Sequence, residues 1–414
     1  MITEILQEDI RERILYHEAL KAYLGSNVIK VITGMRRVGK SYLLKYCIQD
    51  IIRSNYTCEN NIFYINKEDL RYDSLRNYQD LYELFQSFLT SADLKKPLFV
   101  WIDEIQEIQW WERFINSVLS QYQGGIDIYI TGSNSNMLSS ELSTLISGRY
   151  VEMEVYPLSY SEYSVFSGQE KSRELFLEYM RYGGLPGIFG IHREEKMIFE
   201  YLRWIYASII LKDIISHYGL RNIYFFENLY KYIFVNAGNV FSAKSISDYL
   251  KSQKVNISAE TVLNYLDYGI KVYVLDLVRS VNPESKKYFE IYNKYYVWDI
   301  WLRNSLVWFD MKRDIGRVME NYVFLELKRK GYSVKIGRLA NGKEIDFIAE
   351  KNGIIKYFQV CYLLASDETL TREYASLKAV QDNWEKYVVS FDEIDYWVSE
   401  GIRHIKVYDL EGVL

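Results

Sequence analysis

The sequence predicts an α/β protein that begins with a parallel sheet covered by helices, continues through a helical region and ends in a second, smaller α/β part. Three observations carry this prediction. Apolar runs alternate with stretches of helical spacing over residues 27–155, which is typical of a parallel sheet covered on both faces. A glycine-containing loop follows the first run, and a later run ends in two acidic residues. After residue 157 the pattern is helical and then mixed.

The first part of the chain supplies five expected strands and the helices between them. Residues 1–20 have apolar side chains among charges, which predicts one amphipathic helix leading into the sheet. The expected strands are Asn27–Thr33, Asn61–Asn66, Leu98–Ile102, Ile126–Thr131 and Tyr150–Val155. The expected helices are Lys40–Ile52, Tyr78–Leu89, Trp110–Tyr122 and Met137–Ile146. This succession predicts an α/β domain over residues 1–156.

The remaining chain is expected to form a helical lid (157–226), a winged helix (227–292) and a C-terminal α/β domain (293–414). A glycine- and proline-rich turn at Gly183–Gly187 interrupts the lid helices. The winged helix is predicted from two helices and a hairpin, at Ala243–Lys251, Ser258–Tyr268, Lys271–Val278 and Lys287–Tyr292. The C-terminal domain is expected to have helices at Arg317–Lys330 and Asp367–Val380, with strands near Tyr332, Glu344 and Lys356.

Composition favours a globular protein and argues against several classes. Its 414 residues exceed what one hydrophobic core organises, so two or three domains are expected. No apolar run approaches the ~18 residues that cross a bilayer, and Met1–Lys21 is too charged for a signal peptide, so we expect a cytoplasmic protein without membrane contact. Three cysteines without CxxC spacing and four scattered histidines argue against disulfides and zinc. A net charge of −5 gives no global reason to expect nucleic-acid binding.

The loop after the first strand matches the phosphate-binding motif GxxxxGK[ST]. Backbone N–H groups of such a loop and of the following helix converge on a triphosphate. The expected ATP-binding residues are Gly34, Met35, Arg36, Arg37, Val38, Gly39, Lys40, Ser41 and Tyr42. The glycines let the backbone curl closely, and the two arginines are expected to be exposed. Lys40 is expected to be a solvated ligand of the β- and γ-phosphates, and Ser41 a ligand of Mg²⁺. The alternative is an ordinary glycine turn with a solvated lysine.

A buried strand is expected to deliver two acids to the same site. Asp103 and Glu104 follow the apolar run Leu98–Ile102, at the end of a parallel strand where ligands bind. Asp103 is expected to hold Mg²⁺ through water, and Glu104 to orient or deprotonate the attacking water as a catalytic residue. The alternative, two ordinary solvated acids, is disfavoured by the phosphate-binding loop that precedes them.

Three further polar residues are candidate catalytic residues. Ser133 and Asn134 follow the fourth strand, at the sheet edge where the γ-phosphate is expected, and either could report the phosphate state by hydrogen bonding. A plain polar turn is the alternative for both. Arg149 precedes the fifth strand and is either an arginine finger for a neighbouring subunit, which requires a homo-oligomer, or a surface arginine.

At these residues the sequence resembles AAA+ ATPases of a bacterial and archaeal branch, over nearly the whole chain. The matching segments are GMRRVGKS, FVWIDEIQ, YITGSNSNML, SGRYVEMEVYPLSYSEY, the turn Tyr182–Pro186, and EIDFIAE followed by YFQVCY. The resemblance implies an AAA+ fold, ATP hydrolysis with Mg²⁺, Walker A at Gly34–Ser41, Walker B at Asp103 and Glu104, and sensor 1 near Ser133. It also implies that a winged helix and a restriction-endonuclease-like domain follow. The lid sequence lacks a convincing sensor-2 arginine motif.

The endonuclease resemblance implies a metal site in the C-terminal domain. Glu320, Asp346 and Gln359 would bring oxygen atoms to a divalent cation. The lysine expected two residues after Gln359 is replaced by Cys361, which supplies no positive charge to support the attacking water. Two nearby lysines could substitute, Lys343 and Lys356. We therefore expect a nuclease-like shape without efficient DNA cleavage; the alternative is that Glu344, Asp346 and Gln359 are simply polar residues of edge strands.

Two segments bear on a partner. The second helix of the expected winged helix, Ser258–Tyr268, has two acidic residues and no basic one, which favours packing or coupling over insertion into a DNA groove. Met311–Lys343 has nine Lys and Arg residues against three acids, and is either a nucleic-acid contact or a solvated helix face.

Three functions compete on this basis. The favoured one is an ATP-hydrolysing switch or remodeller whose C-terminal domains act on a DNA, RNA or protein partner. The second is a Mg-dependent nuclease gated by ATP. The third, a small-molecule kinase, is disfavoured because it would need neither the lid nor the domains that follow.

Overall fold

The structure, a computed structural model, describes residues 2–122, 125–135, 149–192, 194–220, 222–252, 254–306, 311–364, 366–393 and 401–414. It forms two compact units. The first comprises Met1–Val155 and Lys271–Tyr273, and the second comprises Tyr156–Ile270 and Val274–Leu414. The expected helix Met137–Ile146 lies outside the described residues. Among the helices in the described ranges, none is long and apolar enough to cross a bilayer.

The first unit is built on a five-stranded parallel sheet, which confirms the expected fold class. Its strands are β1 (Ile29–Thr33), β2 (Ile62–Asn66), β3 (Leu98–Asp103), β4 (Ile126–Thr131) and β5 (Tyr150–Glu154). Their order in the sheet is β2-β3-β4-β1-β5, and all pairs are parallel. Because β1, β3 and β4 are adjacent and parallel, their carboxyl ends meet at one edge. The loop, the two acids and the serine predicted from separate motifs therefore share that edge.

Helices cover this sheet at the positions that the apolar spacing predicts, except at the N-terminus. They are α1 (Ile2–Gln7), α2 (Ile14–Lys21), α3 (Lys40–Arg53), α4 (Tyr78–Leu89) and α5 (Trp111–Gln121). The expectation of one helix over residues 1–20 is wrong, because the first helix ends at Gln7 and the second begins at Ile14. The buried Gln49 amide of α3 donates to the carbonyls of Ile5 at 2.7 Å and Glu8 at 2.8 Å. These bonds replace those that a continuing helix would make.

The second unit combines helices with a seven-stranded sheet. Its helices are α6 (Tyr160–Ser167), α7 (Arg173–Tyr182), α8 (Glu195–Ser208), which continues as a π-helical segment (Ile209–Ser216), α9 (Ile223–Val235), α10 (Ala243–Ser252), α11 (Ala259–Lys271), α12 (Ile300–Leu306), α13 (Met311–Arg329) and α14 (Asp367–Lys378). Its strands are β6 (Leu275–Val281), β7 (Tyr288–Val297), β8 (Ser333–Arg338), β9 (Glu344–Lys351), β10 (Ile354–Val360), β11 (Glu385–Ser390) and β12 (Ile402–Lys406).

The β6–β7 hairpin belongs to the same sheet as the C-terminal strands. The order is β12-β11-β10-β9-β8-β6-β7, and β6 pairs with β8 in parallel. Strand β9 pairs antiparallel with both β8 and β10, and β11 runs parallel to β10 after α14. Helix, helix and hairpin thus occur in the order expected of a winged helix, but the hairpin continues into a larger sheet. The division into four domains stays a prediction.

The expected lid helices and the C-terminal region share buried hydrogen bonds within the second unit. The Asn304 amide donates to the Met180 carbonyl at 2.9 Å, and the Arg329 guanidinium donates to the Pro157 carbonyl at 3.0 Å. The Gly184 N–H donates to the Asp299 carboxylate at 3.0 Å, and burial raises the pKa of Asp299 to about 7. Buried polar groups paired in this way hold the lid helices and the C-terminal region together as one body.

Candidate functional site

The loop between β1 and α3 depends on two glycines with positive φ. Gly34 has φ +137°, and a Cβ there would collide with the Val155 carbonyl oxygen. Gly39 has φ +99° and precedes the first residue of α3. L-residues with a side chain rarely adopt these angles, so the loop requires glycine at both positions. The motif spacing therefore encodes a backbone shape as well as a set of ligands.

Lys40, the first residue of α3, is buried rather than solvated. Only 4% of it is exposed, which corrects the expectation of a solvent-facing lysine. Its ammonium donates to the carbonyls of Gly34 at 2.9 Å and Met35 at 3.0 Å, and lies 4.0 Å from the Glu104 carboxylate. The three partners offset the cost of burying the charge. The ammonium is thereby held at the loop beside the acids of β3.

Asp103 ends β3 with one carboxylate oxygen engaged and the other without a partner. Its Oδ1 accepts a hydrogen bond from the Thr131 hydroxyl, and the nearby Ser41 hydroxyl, like that of Thr131, acts to lower the pKa of this carboxylate. Within the described residues, the buried Oδ2 accepts no hydrogen bond. Burial, reinforced by the Glu104 charge, raises the pKa of Asp103 to about 6. A buried oxygen left unpaired beside a serine hydroxyl fits a hard cation such as Mg²⁺, which prefers oxygen ligands.

Glu104 adopts a left-handed backbone conformation, with φ +56° and ψ +50°. Such angles cost energy for a residue other than glycine, and they occur preferentially at functional sites. The Thr131 hydroxyl accepts the Glu104 N–H at 3.0 Å and so supports this backbone. The carboxylate accepts hydrogen bonds from the Ser133 hydroxyl, at 2.9 Å, and from the Gln106 amide.

The electrostatic surroundings keep Glu104 ionised. Burial opposes ionisation, but the positive charges of Lys40 and Arg36 hold the pKa of Glu104 below its ordinary value. Two hydrogen-bond donors on the carboxylate act in the same direction. The site therefore contains one acid whose pKa is raised and, next to it, one whose pKa is lowered, which is typical of paired carboxylates with different roles.

The other predicted residues take varied positions. Ser133 is buried against Glu104, whereas Asn134 is half-buried. Arg37 and Tyr42 are exposed, as expected for Arg37. Arg36 is buried and paired with Glu68, which corrects the expectation of an exposed arginine. The cause is long-range, because Glu68 lies just beyond the carboxyl end of β2.

Arg149 is exposed at the residue before β5. Its carbonyl accepts the Ile29 N–H at 2.9 Å, so its backbone is fixed to the sheet while the side chain faces solvent.

Three contributors to the site escaped the sequence reasoning. The Thr131 hydroxyl connects Asp103 to the backbone of Glu104, and its place at the end of the strand next to β3 was a usable signal. Gln106 bonds the Glu104 carboxylate from two residues along the chain. Arg13 reaches the loop from the N-terminal helices, and no local pattern marked it.

In the second unit, an ammonium lies among the acids expected to bind a metal. Lys294 of β7 is 3.0 Å from the Glu320 carboxylate and also pairs with Glu344, with only 6% of its side chain exposed. These acids raise the pKa of Lys294 even though burial opposes it. Asp346 belongs to the same group, and burial together with Glu320 raises its pKa well above the ordinary value.

The remaining residues of the expected metal site point elsewhere. Gln359 donates to Glu373 at 3.1 Å and accepts from Ser376 at 3.2 Å. The Cys361 thiol is buried, which raises its pKa, and the Lys356 ammonium donates to the Val413 carbonyl at 2.6 Å. This donor set does not fit a divalent cation, because the Lys294 ammonium is already paired with Glu320 and the Gln359 amide is engaged. A cleft of about 710 Å³ beside it is lined by Lys343, Glu344, Gln359, Arg372 and Glu373, among others.

Three of the nine basic residues in the stretch Met311–Lys343 are paired with acids of the second unit. Arg329 forms a buried ion pair with Glu326. Lys328 lies 3.5 Å from Asp276, and Lys335 lies 3.1 Å from Glu350. These pairings leave less positive charge available to a phosphate backbone than the sequence count indicates.

Comparison with known proteins extends this description. A family model described as an AAA domain matches residues 26–164, and one described as a domain of unknown function (DUF8612) matches residues 173–313. The chain is 33% identical to an uncharacterized protein of Haemophilus influenzae over 398 residues, which is 95% of this chain and 96% of the relative. It is 31% identical to the uncharacterized protein MJ1544 of Methanocaldococcus jannaschii over 409 residues, 94% of this chain and 86% of the relative.

A solved structure supports the fold. The Walker-type ATPase PABY2304 of Pyrococcus abyssi is similar with a TM-score of 0.50 and 17% identity, over 72% of this chain and 97% of that chain. At this identity the likeness concerns the fold alone. With the parallel sheet, the phosphate loop and the AAA-domain match, the chain belongs to the family of AAA-domain proteins that includes the Haemophilus influenzae and Methanocaldococcus jannaschii relatives, and it has the P-loop ATPase fold.

Proposed function

We propose that this protein binds Mg-ATP at the loop Gly34–Ser41 and hydrolyses it. One observation carries the proposal: among the described residues the buried Asp103 Oδ2 has no hydrogen-bond partner, and its carboxylate lies near the Ser41 hydroxyl and next to the ionised Glu104. Ser41 and Asp103 would hold the metal, which supplies charge neutralisation to the phosphates when bound. The AAA-domain match over residues 26–164 supports nucleotide binding at this loop.

Glu104 is the residue best placed to activate water. Its lowered pKa keeps it ionised at neutral pH, so the carboxylate can accept a hydrogen bond from water and take its proton. The left-handed backbone and the Thr131 hydroxyl fix the point from which the side chain starts. A positioned base of this kind contributes roughly 10²- to 10⁴-fold to a rate.

Ser133 links the catalytic carboxylate to the neighbouring strand. Ser133 lies two residues after the end of β4, and its hydroxyl donates a hydrogen bond to the Glu104 carboxylate. A phosphate oxygen competing for this hydroxyl would release one Glu104 oxygen, which supports a role for Ser133 as a reporter of phosphate state. Lys40, held beside Glu104 by two loop carbonyls, would exchange these partners for phosphate oxygens.

The second unit is the proposed place of action on a partner. Its lid helices and C-terminal sheet share buried hydrogen bonds, so they would respond to nucleotide as one body. The pairing of Lys328, Arg329 and Lys335 with acids favours a protein partner over a nucleic acid. The protein would thus act as an ATP-driven switch or remodeller.

An assay of ATP hydrolysis and nucleic-acid cleavage in the same samples tests these proposals. Phosphate release is measured in Mg²⁺ or Mn²⁺, with and without supercoiled, linear or single-stranded DNA and RNA. We expect metal-dependent hydrolysis, little stimulation by nucleic acid, and intact DNA, because the Lys294 ammonium pairs with Glu320 and Glu344 where a metal ion would have to bind. Cleavage that disappears in Asp346→Ala would instead establish an ATP-gated nuclease. Strong stimulation by DNA or RNA would identify the partner as a nucleic acid.

Arg149 is proposed to act on the nucleotide site of a neighbouring subunit. Its exposed side chain and fixed backbone suit this role. Arginine fingers contribute about 10³- to 10⁵-fold in rate, so Arg149→Ala should lower ATP turnover by a factor of that order while leaving ATP binding intact. Mixing Arg149→Ala with Glu104→Gln subunits should restore part of the activity, since mixed sites contain both residues. A strictly monomeric protein with concentration-independent turnover would contradict the role in trans.

A further inference from the structure

The N-terminal helices are anchored on the helix that begins the nucleotide site. The arm, defined here as residues 2–21, contacts α3 through both of its helices, and its side chains Ile5 and Leu20 are buried. The Gln49 amide bonds two carbonyls of the arm, and the Lys45 ammonium of α3 lies 2.6 Å from the Glu8 carboxylate. The arm is therefore a fixed part of the first unit.

Arg13 extends from this arm to the phosphate loop itself. Its Nη1 donates to the Val38 carbonyl at 3.0 Å, and only 4% of the residue is exposed. The guanidinium also lies 4.6 Å from the centre of the Tyr16 ring. A buried cation aimed at a backbone carbonyl makes a stronger hydrogen bond than a neutral donor would. The contact joins residues that are 25 positions apart in the chain.

The Val38 carbonyl, which accepts the Arg13 hydrogen bond, belongs to a peptide that adjoins a glycine. This peptide joins Val38 to Gly39, and Gly39 has φ +99°, an angle from which glycine can rotate at little cost. In a trans peptide the C=O and N–H groups point in opposite directions. Holding the Val38 carbonyl towards the arm therefore directs the Gly39 N–H away from it.

The Gly39 N–H is one of the groups at the start of α3 that no intrahelical partner satisfies. Such groups bind phosphate when they all face the anion, and one reversed peptide would present a carbonyl oxygen to it instead. We infer that Arg13 is a positioning residue of the nucleotide site, which keeps the Val38–Gly39 peptide oriented so that its N–H faces phosphate. This inference rests on the proposed binding of ATP at the loop.

The test compares nucleotide affinity and turnover in matched variants. Arg13→Met removes the donor, Arg13→Lys keeps the charge but not the guanidinium geometry, and Lys45→Ala weakens the attachment of the arm without touching Val38. Affinities for Mg-ATP and Mg-ADP are measured by calorimetry, turnover at saturating ATP by phosphate release, and folding by circular dichroism and thermal melting.

We expect Arg13→Met to weaken the binding of both Mg-ATP and Mg-ADP by about 10-fold, which is the usual effect of losing a hydrogen bond that involves a charged group. Turnover at saturation should stay within about two-fold, because bound phosphate itself favours the binding orientation of the peptide. Arg13→Lys should recover part of the affinity, and Lys45→Ala should bind like the unaltered protein.

Two results would overturn the inference. The first is nucleotide affinity that is unchanged in both Arg13 variants. The second is nucleotide affinity that falls equally in Lys45→Ala and Arg13→Met, which would indicate that attachment of the whole arm, and not the Arg13 hydrogen bond, supports binding. If Arg13→Met does not fold, the folded Arg13→Lys protein decides in the same way. Lys40→Ala, measured alongside, separates this outcome from a failure of the proposed function, since normal ATP binding by that variant would remove the site altogether.

Discussion

Lys40→Ala is expected to lose ATP binding by about 100-fold or more while the protein stays folded. The Lys40 ammonium bonds the carbonyls of Gly34 and Met35, and two or three charge-assisted hydrogen bonds to phosphate would replace these contacts in the complex. Each such bond contributes ~1.5 to 3 kcal/mol, and ~1.4 kcal/mol corresponds to a factor of ten. Calorimetric titration with Mg-ATP measures the effect.

The burial of Lys40 makes the folding control necessary. Because the side chain is 4% exposed, its truncation leaves a small cavity and also removes a partner from Glu104. Lys45→Ala, in the same helix, changes a lysine that pairs with Glu8 and should leave affinity unaltered. A well-folded Lys40→Ala protein with normal nucleotide affinity would contradict the assignment of the loop.

Glu104→Gln is expected to bind ATP and to hydrolyse it about 10²- to 10⁴-fold more slowly. The amide has the shape of the carboxylate and can still accept hydrogen bonds from Ser133 and Gln106, so the loop and the bound nucleotide should be retained. It cannot take a proton from water, and that loss is the usual size of a general-base contribution. Single-turnover phosphate release, measured beside equilibrium binding, separates the two steps.

Glu107→Gln provides the matched control for this variant. Glu107 lies in the 3₁₀ turn Ile105–Glu107 directly after Glu104, and its side chain is exposed. Its substitution removes the same charge a short distance away, so any effect of net charge alone would appear in both variants. Normal turnover in Glu104→Gln would move the catalytic role to another residue.

Local sequence patterns by themselves determined the fold class and identified the segments that form the candidate nucleotide site. The alternation of apolar runs and helical spacing located β1 to β5, because each strand and each helix face is encoded within a few residues. The two glycines precede Lys40, the first residue of α3, and Asp103 ends one buried strand that Glu104 follows. Parallel strands then bring these segments to one edge whatever the details of packing.

Contacts between distant segments could not be inferred in this way. The break after Gln7 follows from the Gln49 amide of α3, and the burial of Arg36 follows from Glu68. Residue spacing in the sequence predicts neither partner, because the groups that a side chain contacts depend on which distant segments the fold brings near it. Arg13 meets the Val38 carbonyl for the same reason.

The second unit shows the largest difference between sequence and tertiary structure. The sequence indicated a separate winged helix, because its helices and hairpin are local, but only strand pairing reveals that β6 continues into the C-terminal sheet through β8. Strand β7 of the same sheet carries Lys294, and the ammonium of Lys294 pairs with Glu320 and Glu344. The sequence indicated that Cys361 replaces the expected lysine. Only the arrangement of the strands in the sheet shows that a lysine from another strand, Lys294, lies among the acids.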